Sequence, residues 1–147
     1  MQRDGSGTSV SRSRSIMPRP RNEHPTPAEL EVLKLLWGRG PSTVREVMEA
    51  LNSRRRRAYT SVMSLLEVMT DKGLLKRRRK GRGYVYDARA LRDKTLREML
   101  HDLLARAFEG SAVSLVAHLL DSANPSPQEL AEIHRTIEEY RQGRGGG

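Results

Sequence analysis

The feature that most constrains this fold is a helix with one apolar face. It is followed directly by a basic segment that contains a glycine turn. Residues 57–86 read RAYTSVMSLLEVMTDKGLLKRRRKGRGYVY. In the first half, apolar side chains recur at the spacing of one helix face, and Gly73 ends the pattern. In the second half, a cationic run turns at Gly-Arg-Gly and returns as Tyr-Val-Tyr, which is typical of a hairpin. The chain must therefore pack a helix tightly and place a β-hairpin immediately after it.

Two helices are predicted before this segment, and each begins with a capping box. Thr26 with Glu29 and Thr43 with Glu46 supply the two boxes, and Pro27 suits the first helical position. The predicted core stripes of the three helices are Leu30, Leu33, Leu36 and Trp37; Val44, Val47, Met48 and Leu51; and Tyr59, Val62, Leu65, Leu66 and Met69. Strands are expected at 74–80 and 84–88. The fold class is mainly α with a small β-hairpin, the plan of a winged helix-turn-helix domain.

Charge divides the chain. The net charge is +9, and residues 1–92 carry 21 Lys and Arg against 9 Asp and Glu, whereas residues 93–147 carry 6 against 9. A basic N-terminal part joined to a mildly acidic C-terminal part indicates that the first part binds a polyanion and that the second part has another role.

The predicted hairpin at about 74–88 would form the wing of such a domain. The helix at about 58–72 is expected to enter the major groove of duplex DNA, and the wing is expected to lie along the DNA backbone. Short side chains on the exposed helix face are predicted to read bases: Thr60, Ser61, Met63 and Ser64. Phosphate contacts are predicted at Thr43, Arg54, Arg55, Arg56, Arg57, Tyr59, Arg77, Arg78, Arg79, Lys80 and Arg82. The alternatives are an ordinary polar helix face and a solvated basic rim. Tyr84 and Tyr86 suit packing of the hairpin on the core better than base stacking.

Beyond residue 92 the stripes are too apolar for short helices alone in water, so these helices must pack on the first domain or on a second copy. A homodimer would present two recognition helices, and an intramolecular cap is the alternative. The predicted dimerisation residues are Leu96, Met99, Leu100, Leu103, Leu104, Phe108, Leu115, Leu119, Leu130, Ile133 and Ile137. The expected domains are a disordered basic arm at 1–24, the winged-helix domain at 25–92, the dimerisation region at 93–140 and a flexible tail at 141–147.

Several classes of function are excluded or disfavoured. The chain has no cysteine, which removes disulfides and thiolate chemistry, and its four histidines lack metal-ligand spacing. We find no catalytic constellation and no cofactor motif, so we do not expect an enzyme. No segment approaches the roughly 18 apolar residues of a membrane span, and the N-terminus lacks a secretory signal, so the expected compartment is the cytoplasm. The alternative function is a non-specific RNA- or ribosome-associated basic protein.

The sequence also resembles a known family. The segments TPAELEVLKLLW, TVREVMEAL, AYTSVMSLLEVMTDKGLLKR, GRGYVYDA, SLVAHLLD and SPQELAEI are similar, in order and spacing, to the penicillinase-repressor (BlaI/MecI) family of winged-helix repressors. The similarity covers roughly residues 25–140. It implies a homodimer that sits on a dyad-symmetric DNA operator and blocks transcription. In the antibiotic-response members of the family, a membrane sensor-protease system inactivates the repressor by cleavage in the C-terminal region, and the resemblance makes such a system a candidate partner of this chain.

Three departures from the family pattern bear on function. Prototype members carry basic residues where this chain has Thr60 and Met63, so the resemblance implies their mode of binding but not their operator sequence. The prototype cleavage pair, Asn-Phe, falls opposite His118-Leu119. Copper-responsive relatives use a cysteine cluster that this chain lacks, which argues against copper sensing.

Overall fold

Two capped helices open the fold, as the sequence predicts. The computed structural model describes residues 24–145. Helix α1 spans Pro27–Arg39 and helix α2 spans Val44–Leu51, and both capping boxes form. At α1, the Thr26 hydroxyl accepts from the Glu29 amide at 3.2 Å, and the Glu29 carboxylate accepts from the Thr26 amide at 3.0 Å. Each box pairs two donors that the first helical turn leaves without partners.

Helix α3 spans Tyr59–Asp71, within one residue of the predicted bounds at each end. Gly73 follows with a φ of 84°, a conformation that favours glycine because it has no Cβ. That turn lets the Leu74 amide donate to the Met69 carbonyl at 2.9 Å and directs the chain into the sheet.

The sheet has three strands rather than the two predicted. β1 spans Ser42–Thr43, β2 spans Leu75–Lys80 and β3 spans Gly83–Ala88, in the antiparallel order β1-β3-β2. β1 pairs Ser42 with Tyr86 and Thr43 with Val85. The hairpin closes at the Lys80–Gly83 pair, so its loop is Gly81-Arg82, with Gly81 at a φ of 61°. The added strand anchors the hairpin to the segment that begins α2.

The core lies between the three helices and one face of the sheet. Its buried members are Val32, Leu33, Leu36, Val44, Val47, Leu51, Val62, Leu66, Met69, Leu75 and Tyr86. Trp37 packs against this cluster, and its indole N–H donates to the Ala90 carbonyl at 2.9 Å. This bond ties the end of α1 to the segment that follows the wing.

The predicted stripes need two corrections. Val32 takes the buried place on α1 that was expected of Leu30, which is only half-buried. Tyr59 is 42% exposed and does not extend the core, because it is the first residue of α3 and the buried part of that helix begins at Val62.

Three further helices follow: α4 at Arg92–Ala107, α5 at Ala112–Ala123 and α6 at Pro127–Tyr140. The first of two compact units ends at Met99 and the second begins at Leu100. The division falls inside α4 because the start of this helix packs with the first unit, where Thr95 is buried. Leu96 and Met99, predicted for dimerisation, therefore belong to the first unit.

The chain ends are only partly described. Residues 1–23 of the predicted N-terminal arm lie outside the described residues. Arg141–Gly145, the start of the predicted flexible tail, forms a π-helical turn that follows α6. By length and composition, no single helix within residues 24–145 could cross a membrane; α4 and α5 meet that criterion only when taken together as a bent pair.

Candidate nucleic-acid interface

The exposed side of α3 presents short polar side chains, as the sequence predicts. Thr60, Ser61 and Ser64 are exposed on its first two turns, and Glu67 lies exposed on the next turn. We call these four residues the reading face. Met63, predicted to read bases, is instead half-buried and packs against the core cluster. It therefore lies at the border of the reading face.

An ion pair that sequence reasoning missed fixes the far end of α3. The Lys72 ammonium lies 3.0 and 2.9 Å from the two carboxylate oxygens of Glu29, whose side chain is only 4% exposed. Glu29 also completes the capping box of α1, whose N-cap residue is Thr26. One buried carboxylate thus joins the start of α1 to the end of α3.

The basic loop before α3 is held at both ends. Asn52 accepts from the Arg57 amide at 2.8 Å and donates to the Arg57 carbonyl at 3.4 Å. The Arg57 guanidinium lies 3.3 Å from Glu31 on α1, and its side chain is 18% exposed. Arg57, predicted to bind phosphate, is therefore engaged within the protein. Arg54, Arg55 and Arg56 are exposed and remain available to an outside anion.

The register of the hairpin divides the wing cations between two faces. Side chains alternate along a strand, and residues paired across a ladder share a face. The inner face holds Leu75, Arg77, Arg79, Tyr84 and Tyr86, and the outer face holds Lys76, Arg78, Lys80, Val85 and Asp87. Leu75 and Tyr86 belong to the core, so the inner face is the side that packs on the helices. Lys76, exposed on the outer face, was not among the predicted phosphate contacts.

Two hydrogen-bonded groups in this region have shifted pKa values. A hydrogen bond to the Tyr86 hydroxyl, with a smaller contribution from the charge of Glu67, raises the pKa of Arg77 above its ordinary value. The backbone bond from Thr43 lowers the pKa of Glu46, and Arg39 and Lys80 also favour its charged form. The predicted phosphate contact Thr43 thus already uses its hydroxyl as an acceptor, from the Glu46 amide at 3.1 Å.

The second unit leaves much of its apolar surface uncovered. No residue of α5 or α6 is buried, and the predicted dimerisation residues beyond Met99 are all exposed or half-buried. The most exposed of them are Leu100, Leu103, Leu119, Leu130 and Ile137, at 43 to 52%. Val113, Val116 and Tyr140 are further exposed apolar residues that the prediction left out.

Comparison with known proteins identifies the family. Residues 25–139 match the sequence model of the family described as penicillinase repressor. The chain belongs to the penicillinase repressor family. A penicillinase repressor of Bacillus licheniformis is 26% identical over 114 residues, which cover 78% of this chain and 89% of that protein. The transcriptional regulator BlaI of Mycobacterium tuberculosis is 34% identical over 119 residues, 80% of this chain and 85% of that protein.

Two solved structures also align with this chain. A MarR family protein from Bacillus stearothermophilus aligns with a TM-score of 0.46 at 22% identity, over 90% of this chain and 81% of that one. The YusO protein from Bacillus subtilis aligns with a TM-score of 0.45 at 19% identity, over 80% and 74%. The penicillinase repressor family is one of transcriptional regulators and not of enzymes, as expected from the sequence.

Proposed function

We propose that this protein is a sequence-specific transcriptional repressor that binds a dyad-symmetric DNA operator as a homodimer. The observation that carries the proposal is the reading face, where three exposed hydroxyls lie on one side of α3. The opposite side of the helix packs in the core. A stiff helix with short polar tips can enter the major groove and reach base edges. Membership of the penicillinase repressor family supports this role. Such a repressor acts beside the chromosome, in the cytoplasm.

Two classes of contact have different roles in this proposal. Thr60, Ser61 and Ser64 read bases, whereas the exposed arginines at 54–56 and the wing bind phosphates. Phosphate contacts add affinity for any duplex and make it depend on salt, because each neutralised phosphate releases counterions. Base contacts add discrimination between sequences, about 1–3 kcal/mol for each good pairing.

The experiment that tests this division compares two sets of variants on a selected operator and on mixed-sequence DNA. Thr60→Val and Ser61→Ala are expected to change which sequence is preferred. Arg55→Ala and Arg56→Ala are each expected to weaken binding to both DNAs alike. Each should lower the magnitude of the salt slope by about one per lost phosphate contact, and hence by about two for the dimer. An unaltered sequence preference in the Thr60 and Ser61 variants would show that the reading face is wrongly assigned.

The homodimer is supported by the uncovered apolar residues of the second unit. Side chains such as Leu103 and Leu119 are about half exposed in a single chain, and burying such surface is favourable by roughly 25 cal/mol per Å². A second copy of the chain offers the same residues in return, as a two-fold symmetric interface requires. Two recognition helices would then meet two half-sites.

The RNA-binding alternative is not favoured by the family. It predicts comparable affinity for structured RNA and for duplex DNA. A competition titration between the two distinguishes the functions, and we expect the duplex operator to displace the protein from RNA.

The membrane sensor-protease partner stays a prediction from the resemblance. The bond between His118 and Leu119 lies within α5, where the His118 ring bonds to the Ser114 carbonyl at 2.9 Å and packs 5.3 Å from Phe108. A protease would have to open this helix locally before cutting it. Mass spectrometry of the repressor recovered from cells exposed to a β-lactam would support the partner if it detects a fragment that ends near His118.

A further inference from the structure

The inner face of the wing carries two arginines stacked on one tyrosine. The Arg77 guanidinium lies 4.1 Å from the centre of the Tyr84 ring, and the Arg79 guanidinium lies 5.7 Å from it. Arg77 also donates to the Tyr86 hydroxyl at 3.4 Å. Both ring distances fall within the roughly 6 Å of a cation–π contact. The two cations are therefore held in place by the hairpin, although both are exposed to solvent.

Tyr84 is itself fixed. It is half-buried, packs against the core cluster and lies 6.4 Å from the ring of Tyr86, which is 1% exposed. A ring that is anchored on the core can restrict the long arginine side chains that lie over it. Free arginine side chains would have to be ordered when they bind, and that ordering costs conformational entropy.

The stacked arginines lie on the side of the sheet that faces the recognition helix. Leu75 and Tyr86, on the same face, share the core with α3. The charge of Glu67, which belongs to the reading face, acts on Arg77. In contrast, Arg78 and Lys80 project from the opposite face, on which Val85 pairs with Arg78. The strand thus presents alternate cations toward and away from α3.

We propose that Tyr84 is a positioning residue that holds Arg77 and Arg79 as the wing's phosphate contacts beside the recognition helix. Arg78 and Lys80, on the outer face, act on DNA only through long-range charge. This inference rests on the proposed function and refines it, because the sequence alone predicted phosphate contacts at every residue from Arg77 to Lys80. The contacts then follow the two-residue period of the strand.

Alanine substitutions at four successive positions test this period. Arg77→Ala and Arg79→Ala are each expected to lower the magnitude of the slope of log K against log salt by about two for the dimer, about one for each lost phosphate contact. Arg78→Ala and Lys80→Ala, the matched controls with the same loss of charge, are expected to change the slope by much less. Equal changes at all four positions would overturn the inference. Absence of duplex binding by the unaltered protein would instead overturn the proposed function.

The role of Tyr84 is tested by separating affinity from salt slope. Tyr84→Leu removes the aromatic platform and keeps an apolar side chain, so we expect affinity to fall about five- to tenfold with the slope unchanged. Tyr84→Phe keeps the ring and should bind within about twofold of the unaltered protein. Arg77→Lys keeps the charge but loses the planar stack, so it should resemble Tyr84→Leu.

A double-mutant cycle distinguishes positioning from general support of the fold. In a background with both Arg77→Ala and Arg79→Ala, the Tyr84→Leu change should have no further effect on DNA affinity. If Tyr84→Leu weakens binding equally in both backgrounds, or if Arg77→Lys binds as tightly as the unaltered protein, Tyr84 does not position these arginines.

Discussion

At the scale of single residues, loss of the ion pair between Glu29 and Lys72 should lower the free energy of unfolding more than loss of any other single contact described above. The Glu29 side chain is 4% exposed and the Lys72 side chain is 21% exposed. The loss of stability should therefore depend on which of the two partners is removed. Lys72→Met leaves a carboxylate buried without its cation, and we expect a loss of about 3 kcal/mol in the free energy of unfolding. Glu29→Gln leaves an ammonium near solvent and keeps an oxygen for the Thr26 amide, so its cost should be nearer 1 kcal/mol.

Urea unfolding of the two variants and of the double variant measures this asymmetry. Since the two residues are in contact, the double variant should lose less than the two single losses added together. Equal costs that add simply would mean that the pair is a solvated surface contact.

At the scale of elements, the capping box of α2 should make stability depend on acid. The pKa of Glu46 is lowered in the fold, so its charged form contributes stability that is complete above the ordinary value of 4.5 and is lost as pH falls through the lower folded value. Glu46→Gln keeps the capping geometry without the charge. Thermal unfolding from pH 7 to pH 3 should therefore show a lower midpoint for the variant at pH 7 and a difference that closes in acid.

The matched control for this effect is Glu49→Gln, the same charge change on the exposed side of the same helix. A midpoint difference between Glu46→Gln and the unaltered protein that stays constant over the whole range would contradict the capping argument.

The elements also show what could be predicted from the sequence and why. Capping boxes and helical stripes involve residues three or four positions apart, so the bounds of α3 and the starts of α1 and α2 could be predicted. The third strand could not, because the two residues of β1 take their register from Tyr86 and Val85, far along the chain. The same holds for the pair of Lys72 with Glu29, 43 positions apart, and of Arg57 with Glu31, 26 apart. The hairpin was predicted. Which of its cations lie on the inner face and which on the outer face depends on the strand register, and a run of Lys and Arg does not reveal that register.

At the scale of the whole molecule, the second unit should hold two copies of the chain together. Leu103→Asp places a charge among apolar residues that we expect to be covered in the dimer, so it should shift sedimentation equilibrium at micromolar concentration toward the monomer. Leu91→Asp is the control, since Leu91 is 68% exposed and lies outside the predicted dimerisation residues. If the unaltered protein sediments as a monomer, the proposed dimer is wrong. If the two variants have equal effects, the dimer surface is wrongly assigned.

The most direct measurement of the central claim is a hydroxyl-radical footprint of the full chain on the genomic fragment that it binds most tightly. A recognition helix carried by each of two copies predicts two protected half-sites, related by a dyad and centred about one helical turn of DNA, or a multiple of it, apart. A single protected patch without dyad symmetry, or uniform weak protection along the fragment, would contradict the account.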